Sequence, residues 1–299
     1  MTARAPLRGV LVAITSPFDP ITGELAPVPL RAHARALLDA GVHGVLAAGS
    51  TGEAALLTED EFRQVVGWLR DVVPADRAFV VGTGRESTRQ TVGACKVAGE
   101  LGADAVLVRA PSYYGSSLSA TALTEHFRRV ADESPVPVLL YNIPKYTHVA
   151  LAEPLLAALL THENVAGAKD SSGDLKNFAA YTAAAPGWAH FMGSGSLLYA
   201  ALELGAVGGI LAVANILPAL ASEVWERWEL GDRAGAGAAQ ERLGPLHKTV
   251  VGEFGVPGVK AALDLVGRPG GPVRPPLADL GARERERVGE AVAAARADD

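Results

Sequence analysis

Val165-Ala166-Gly167-Ala168-Lys169-Asp170-Ser171 is the stretch on which the reading of this chain turns. Four small or branched apolar residues run directly into a lysine. A run this short and apolar at every position, without alternation, is the pattern of a parallel strand covered on both faces. Seven other runs share it: Gly9–Ile14, Gly44–Ala48, Ala78–Val81, Ala105–Val108, Val136–Tyr141, His190–Met192 and Gly208–Val213.

Amphipathic stretches lie between these runs. Arg31–Ala40 places apolar residues at helical spacing and stops at Gly41, a suitable C-cap. Thr58 stands before Glu59, Asp60 and Glu61, so that Thr58-x-x-Glu61 forms a capping box with acids in the first turn. Thr121–Ala131 and Ser196–Leu204 read as helices in the same way. Strands alternating with helices form either a closed barrel or an open doubly wound sheet. Eight repeats within one domain-sized length favour the barrel. The open sheet also calls for a glycine-rich turn after the first strand, where this chain has Thr15-Ser16-Pro17-Phe18. After Pro218 the strands cease. Glu223–Leu230, Ala234–Gly244, Pro257–Val266 and Ala282–Ala297 read as helices, with Gly267–Pro276 as an irregular connection. The expected architecture is a (β/α)8 TIM barrel over residues 1–224 carrying the active site, followed by a small helical appendage over 225–299.

Composition excludes several classes. The 299 residues carry a net charge of −6 with no basic stripe, which argues against nucleic acid as a partner. The Arg-rich run from Arg283 to Arg287 is balanced by Glu284 and Glu286 and reads as a solvated helix face. A single cysteine, Cys95, rules out an intramolecular disulfide framework and fits a reducing compartment. It falls in a helical pattern without a histidine partner and reads as a small buried hydrophobe. No apolar stretch reaches 18 residues, and Met1 to Gly9 lack a signal-like apolar segment. The expectation is a cytoplasmic protein with no membrane association.

In barrels of this kind chemistry gathers at the C-terminal ends of the strands. Four such ends stand out: Gly49-Ser50-Thr51-Gly52-Glu53, Pro111-Ser112-Tyr113-Tyr114, Tyr141-Asn142-Ile143-Pro144 and Lys169-Asp170-Ser171. Only six of the 27 basic residues are lysines, so a lysine closing a buried strand calls for a reason. Apolar walls disfavour the charged form of an amine, and a neutral amine attacks a ketone to give an iminium that acts as an electron sink. The competing reading of Lys169 is an ion pair with Asp170. Tyr141 suits the proton transfers such chemistry needs, and Ser50 and Tyr114 extend it into a relay. The competing reading of a strand-end tyrosine is a packed ring. The hydroxyls and amides of Gly49–Gly52 suit a carboxylate. The loop has no phosphate-loop pattern.

Other patterns are weak. Gly82-Thr83-Gly84 begins like a dinucleotide fingerprint, but Ser87 occupies the third glycine position and no acid follows at the right distance. The seven histidines show no ligand spacing, so no metal is expected.

Taken together, G-S-T-G-E, Y-Y, Y-N-I-P, A-K-D-S-S-G-D and G-G-I-L-A-V-A-N resemble the dihydrodipicolinate synthase and N-acetylneuraminate lyase superfamily, from Gly9 to about Leu280. The resemblance implies that Lys169 is the Schiff-base lysine and Tyr141 its proton shuttle. Ser50 and Tyr114 would complete the relay, Tyr114 reaching the site of a neighbouring subunit. Ser50 and Thr51 would hold the pyruvate carboxylate, and the backbone at Gly193 and Ile210 would line the pocket. It further implies a homotetramer built as a dimer of dimers, a 2-oxo acid substrate with a pyruvate unit, and no metal or organic cofactor.

The chain departs from the synthase pattern five residues after Tyr141, where the synthases carry an arginine that binds the aldehyde's carboxylate. Here that position is Tyr146, and the glycine expected two residues further on is His148. A phenol does not replace a bidentate guanidinium. Gly84–Thr88, Val130–Pro135, Gly205–Gly209, Phe254–Gly258 and Gly271–Leu277 are more similar to the 4-hydroxy-2-oxoglutarate aldolase branch, in which the residue at Ser171 contacts the distal carboxylate. Lys145 and Arg109 are the two candidates for the missing cation, with solvent exposure and structural ion pairing as their plainer roles. The expected activity is a class I aldolase releasing pyruvate and an aldehyde from a 4-hydroxy-2-oxo acid. The alternatives are dihydrodipicolinate synthesis, a sugar-acid aldolase or dehydratase, and a non-catalytic 2-oxo acid sensor.

Overall fold

A computed structural model describes residues 6–296. Eight parallel strands form a closed barrel in sequence order: β1 (Gly9–Ala13), β2 (Gly44–Ala47), β3 (Ala78–Gly82), β4 (Ala105–Arg109), β5 (Val138–Asn142), β6 (Val165–Asp170), β7 (Ala189–Met192) and β8 (Gly208–Leu211). The barrel closes through β1 and β8, with Leu11 opposite Ile210 and Val12 opposite Leu211. Each expected strand is present. β5 begins two residues later than the apolar pattern suggests, because Pro137 has no N–H to give to a ladder. β6 runs two residues further, so Lys169 and Asp170 belong to the strand itself.

Alternation along the strands explains why they are apolar throughout. Leu11, Leu46, Val80, Leu107, Leu139, Tyr141, Phe191 and Ile210 point into the lumen and pack on one another. Their neighbours Val12, Val45, Val81, Val106, Leu140 and Met192 point outward into the layer beneath the helices. Buried Asn215, just beyond β8, stitches the closing seam. Its amide donates to the carbonyls of Ala13 and Ala212, both at 2.8 Å, and its oxygen lies 3.1 Å from His33 Nε2. Burial holds the His33 imidazole neutral, with its pKa lowered to about 4.

The capping box forms as expected: Glu61 N–H donates to Thr58 Oγ1 and the Glu61 carboxylate accepts from Thr58 N–H. The first helix spans Pro27–Asp39, starting earlier than its apolar pattern because Pro27 and Pro29 suit a first turn. Ser196–Leu204 is a short 3₁₀ turn followed by a helix at Leu198–Glu203. Beyond β8 lie helices at Pro218–Glu229, Arg233–Leu246, Gly255–Leu265 and Ala282–Arg296. The boundary drawn at residues 224/225 therefore falls inside a helix. A seven-residue π-helical segment at His247–Glu253 follows Pro245 and was not anticipated. Residues 1–5 and Ala297, the last of the expected final helix, lie outside the described residues. Among the described residues no helix is long and apolar enough to cross a membrane.

The C-terminal helices are fastened to the barrel mouth. Lys260 and Glu53 form an ion pair at 2.5 Å with both side chains fully enclosed. Lys260 also donates to the Pro272 carbonyl at 2.7 Å and lies over the Phe18 ring. The other Glu53 oxygen accepts from Arg274 N–H, and the Arg274 guanidinium pairs with both Glu61 oxygens at 2.7 Å. Glu53 ends the Gly49–Glu53 loop with a left-handed backbone (φ 56°), so this network fixes the loop that presents Ser50 and Thr51.

Candidate active site

Register decides what meets at the mouth of the barrel. Tyr141 on β5 lies opposite Lys169 on β6, and Asn142 opposite Asp170. The first pair faces the lumen. The Lys169 Nζ sits 4.5 Å from the centre of the Tyr141 ring, and the two residues are 4% and 6% exposed. The second pair faces away. Asp170 accepts from Asn142 Nδ2 and Ser172 Oγ at 2.8 Å, from Ser172 N–H at 2.9 Å and from Asn177 Nδ2 at 3.1 Å. Its carboxylate is saturated without Lys169. Pairing between Lys169 and Asp170 is thereby excluded, and among the described residues the Lys169 amine has no ion-pair or hydrogen-bond partner. A buried amine without a counter-ion costs stability, and its retention at a cavity wall points to chemistry.

Lys169 lines a cavity of about 340 Å³. Ser50, Thr51, Tyr141, Ser171, Gly193 and Ile210 line it as well, which brings together seven of the nine residues expected at the site. Tyr146 makes the eighth, at the outer wall and 48% exposed. Burial, and then the neighbouring Tyr141, raise its phenol pKa. Gly193 is required here, since a Cβ would collide with Ser171 Oγ. Gly193→Ala is expected to displace Ser171 and reduce kcat/KM by about 10²-fold, the scale of an ångström-level misplacement. Unchanged kinetics would remove Ser171 from the site.

Tyr114 is not in this cavity. It is 70% exposed, edge-to-face against Tyr113, on the loop after β4. Glu86 holds that loop, accepting from the N–H groups of Ser112 and Tyr113, from Ser112 Oγ and from Arg109. Partial burial works to raise the Glu86 pKa, but these four donors outweigh it and hold it at about 2. Arg109 thus makes a structural ion pair with Glu86 on the neighbouring loop while still lining an adjoining 550 Å³ cavity. Lys145 lines both cavities and donates to the Gly252 carbonyl at 2.9 Å.

The C-terminal segment adds residues to the wall, of which His247 and Lys248 were announced by no motif. His247, Lys248 and Val256 reach over the mouth from the π-helical turn and the helix after it. His247 accepts from Gly195 N–H at Nδ1 (3.1 Å), and its Nε2 is 3.1 Å from Ser194 Oγ. Burial, reinforced by Lys145, lowers its pKa to about 4. Nothing in the spacing of Arg233–Glu253 marks a wall of the site. Only the interrupting Pro245 and Gly252 hint at an irregular helix.

A parallel (β/α)8 barrel with an unpaired lumenal lysine beside a tyrosine at the C-terminal strand ends defines a class: barrels able to form covalent imines with carbonyl substrates. Within that class the chain belongs to the Dihydrodipicolinate synthetase family, whose sequence profile matches residues 6–295. It is 39% identical over 274 residues to an uncharacterised DapA-like lyase of Halobacterium salinarum, covering 92% of this chain and 89% of that one. It is 36% identical to 4-hydroxy-tetrahydrodipicolinate synthase of Methanopyrus kandleri, covering 91% and 90%. Among solved structures it is similar to the chloride-inhibited dihydrodipicolinate synthase of Acinetobacter baumannii complexed with pyruvate, at TM-score 0.92 and 30% identity over 97% of this chain and 99% of that one. These relatives are named as a lyase and as synthases.

Proposed function

We propose that this protein is a class I lyase that holds the pyruvate unit of its substrate as an iminium on Lys169, and that its preferred direction is cleavage of a 4-hydroxy-2-oxo acid such as 4-hydroxy-2-oxoglutarate. The observation that carries the reading is the enclosed, unpaired Lys169 amine against the Tyr141 ring. Support for cleavage comes from Tyr146, which stands where the synthases place an arginine.

The amine attacks C2 of the substrate and water leaves, giving the iminium. Tyr141, with Ser50 beside it in the cavity, takes the proton of the C4 hydroxyl. The C3–C4 electron pair moves into the iminium, releasing an aldehyde and leaving an enamine of pyruvate. Protonation at C3 and hydrolysis return the lysine and free pyruvate. Ser50 and Thr51 bind the C1 carboxylate, and Tyr114 of a second copy completes the relay in a homotetramer. Tyr141→Phe is expected to reduce kcat by about 10²–10⁴-fold, the range of one general acid–base group. A loss under threefold would assign the proton transfer elsewhere.

A second reading has a specific observation behind it. Relatives at 36% and 33% identity are named 4-hydroxy-tetrahydrodipicolinate synthase, so the same enamine would condense with aspartate semialdehyde. Parallel assays decide between the two. Glyoxylate and pyruvate from 4-hydroxy-2-oxoglutarate, with no condensation product from aspartate semialdehyde, support the lyase. The reverse pattern supports the synthase.

A further inference from the structure

One wall of the Lys169 cavity carries a hydrogen-bond chain with one proton too many. His247 Nδ1 accepts from Gly195 N–H, so in the neutral ring the proton sits on Nε2 and points at Ser194 Oγ. Ser194 Oγ is 2.9 Å from Ser196 Oγ. With His247 donating into the chain, Ser194 and Ser196 have two hydroxyl protons and one contact between them to fill. Whichever serine donates to the other, one O–H remains, and both side chains line the cavity. Gly195 permits the arrangement, because a Cβ there would press on Val213 and on the imidazole. The low pKa of His247, from burial and then from Lys145, keeps this orientation fixed across the neutral range.

Charge at the same cavity is one-sided. Lys145, Lys169 and Lys248 line it, and among the described residues no aspartate or glutamate does. These are three of the six lysines in a chain whose net charge is −6. An imine on Lys169 keeps its positive charge when protonated, and one carboxylate on the pyruvate unit answers that charge. The Lys145 ammonium spends one N–H on the Gly252 carbonyl and has two left. A spare hydroxyl donor and a partly used ammonium on the wall of a carboxylate-free cavity are the donor set for a second anion.

We infer that the wall formed by Ser194, Ser196 and Lys145 is a subsite for a distal carboxylate, with His247 as the positioning residue that aims the serine hydroxyl. It takes the place of the guanidinium missing at Tyr146. The substrate class is then a dicarboxylic 2-oxo acid, whichever direction the reaction runs. The inference rests on the Schiff-base reading only in that Lys169 anchors the 2-oxo acid.

Borohydride trapping tests it without turnover. The intact enzyme is titrated with 2-oxoglutarate and with 2-oxopentanoate, which differ in the distal carboxylate, and with pyruvate as the control. The half-saturating concentration for trapping is the readout. For the unaltered enzyme it should be at least tenfold lower for 2-oxoglutarate than for 2-oxopentanoate. Lys145→Met and Ser194→Ala should each erase most of that preference while leaving pyruvate trapping unchanged. His247→Leu should match Ser194→Ala, and His247→Gln, whose amide can donate to the serine, should restore the preference. Equal trapping of both acids by the unaltered enzyme, rejection of 2-oxoglutarate alone, or variants that weaken all three ligands alike would each overturn the subsite. Failure to trap pyruvate at all would overturn the Schiff-base reading instead.

Discussion

Lys169→Met is expected to abolish turnover, with kcat reduced by about 10⁴-fold or more, because it removes the covalent route rather than one contact along it. The same substitution should leave the melting temperature unchanged or raise it. Methionine fills a similar volume, and the amine it replaces is 4% exposed with no counter-ion. An unpaired polar group in such a place costs stability and is kept for function. Paired kinetic and thermal measurements on one purified variant check both halves. A variant that loses activity and also melts far lower would make Lys169 a structural residue.

The buried ion pair at the barrel mouth predicts a different combination, in which stability falls. Lys260→Met removes the partner of Glu53 but leaves that carboxylate enclosed, and breaking a buried pair costs about 3–5 kcal/mol. For a chain of this size that is a fall in Tm of roughly 5–8 °C. Glu53→Gln combined with Lys260→Met should be less destabilised than the sum of the two single changes, since the double variant strands no charge. Activity should fall as well, because Glu53 ends the loop that carries Ser50 and Thr51. Additive losses in a denaturant series would show that the pair is not coupled.

The barrel was legible because parallel strands buried on two faces write their pattern into consecutive residues. The lumenal and outer sets, such as Leu139 and Leu140, are both apolar. Lys169 and Tyr141 were legible for the converse reason, as polar residues ending such runs. What stayed hidden depends on contacts between distant segments. Lys260 falls in an ordinary helical pattern, and only the fold brings it to Glu53. His247 carries no local signature, because its partners Ser194 and Gly195 lie some fifty residues earlier. Arg109 could be marked as a candidate cation, but its pairing with Glu86 follows from how two neighbouring loops meet. Tyr114 was read from its motif, and one chain places it on the surface.

The central claim is the imine on Lys169, and trapping it with the simplest 2-oxo acid is the most direct test. The protein is incubated with pyruvate, reduced with borohydride and digested, and the modified peptide is sequenced by mass spectrometry. The account predicts one stable adduct, on Lys169, and none in Lys169→Met. An adduct on another lysine, or no adduct while pyruvate is bound, would contradict it.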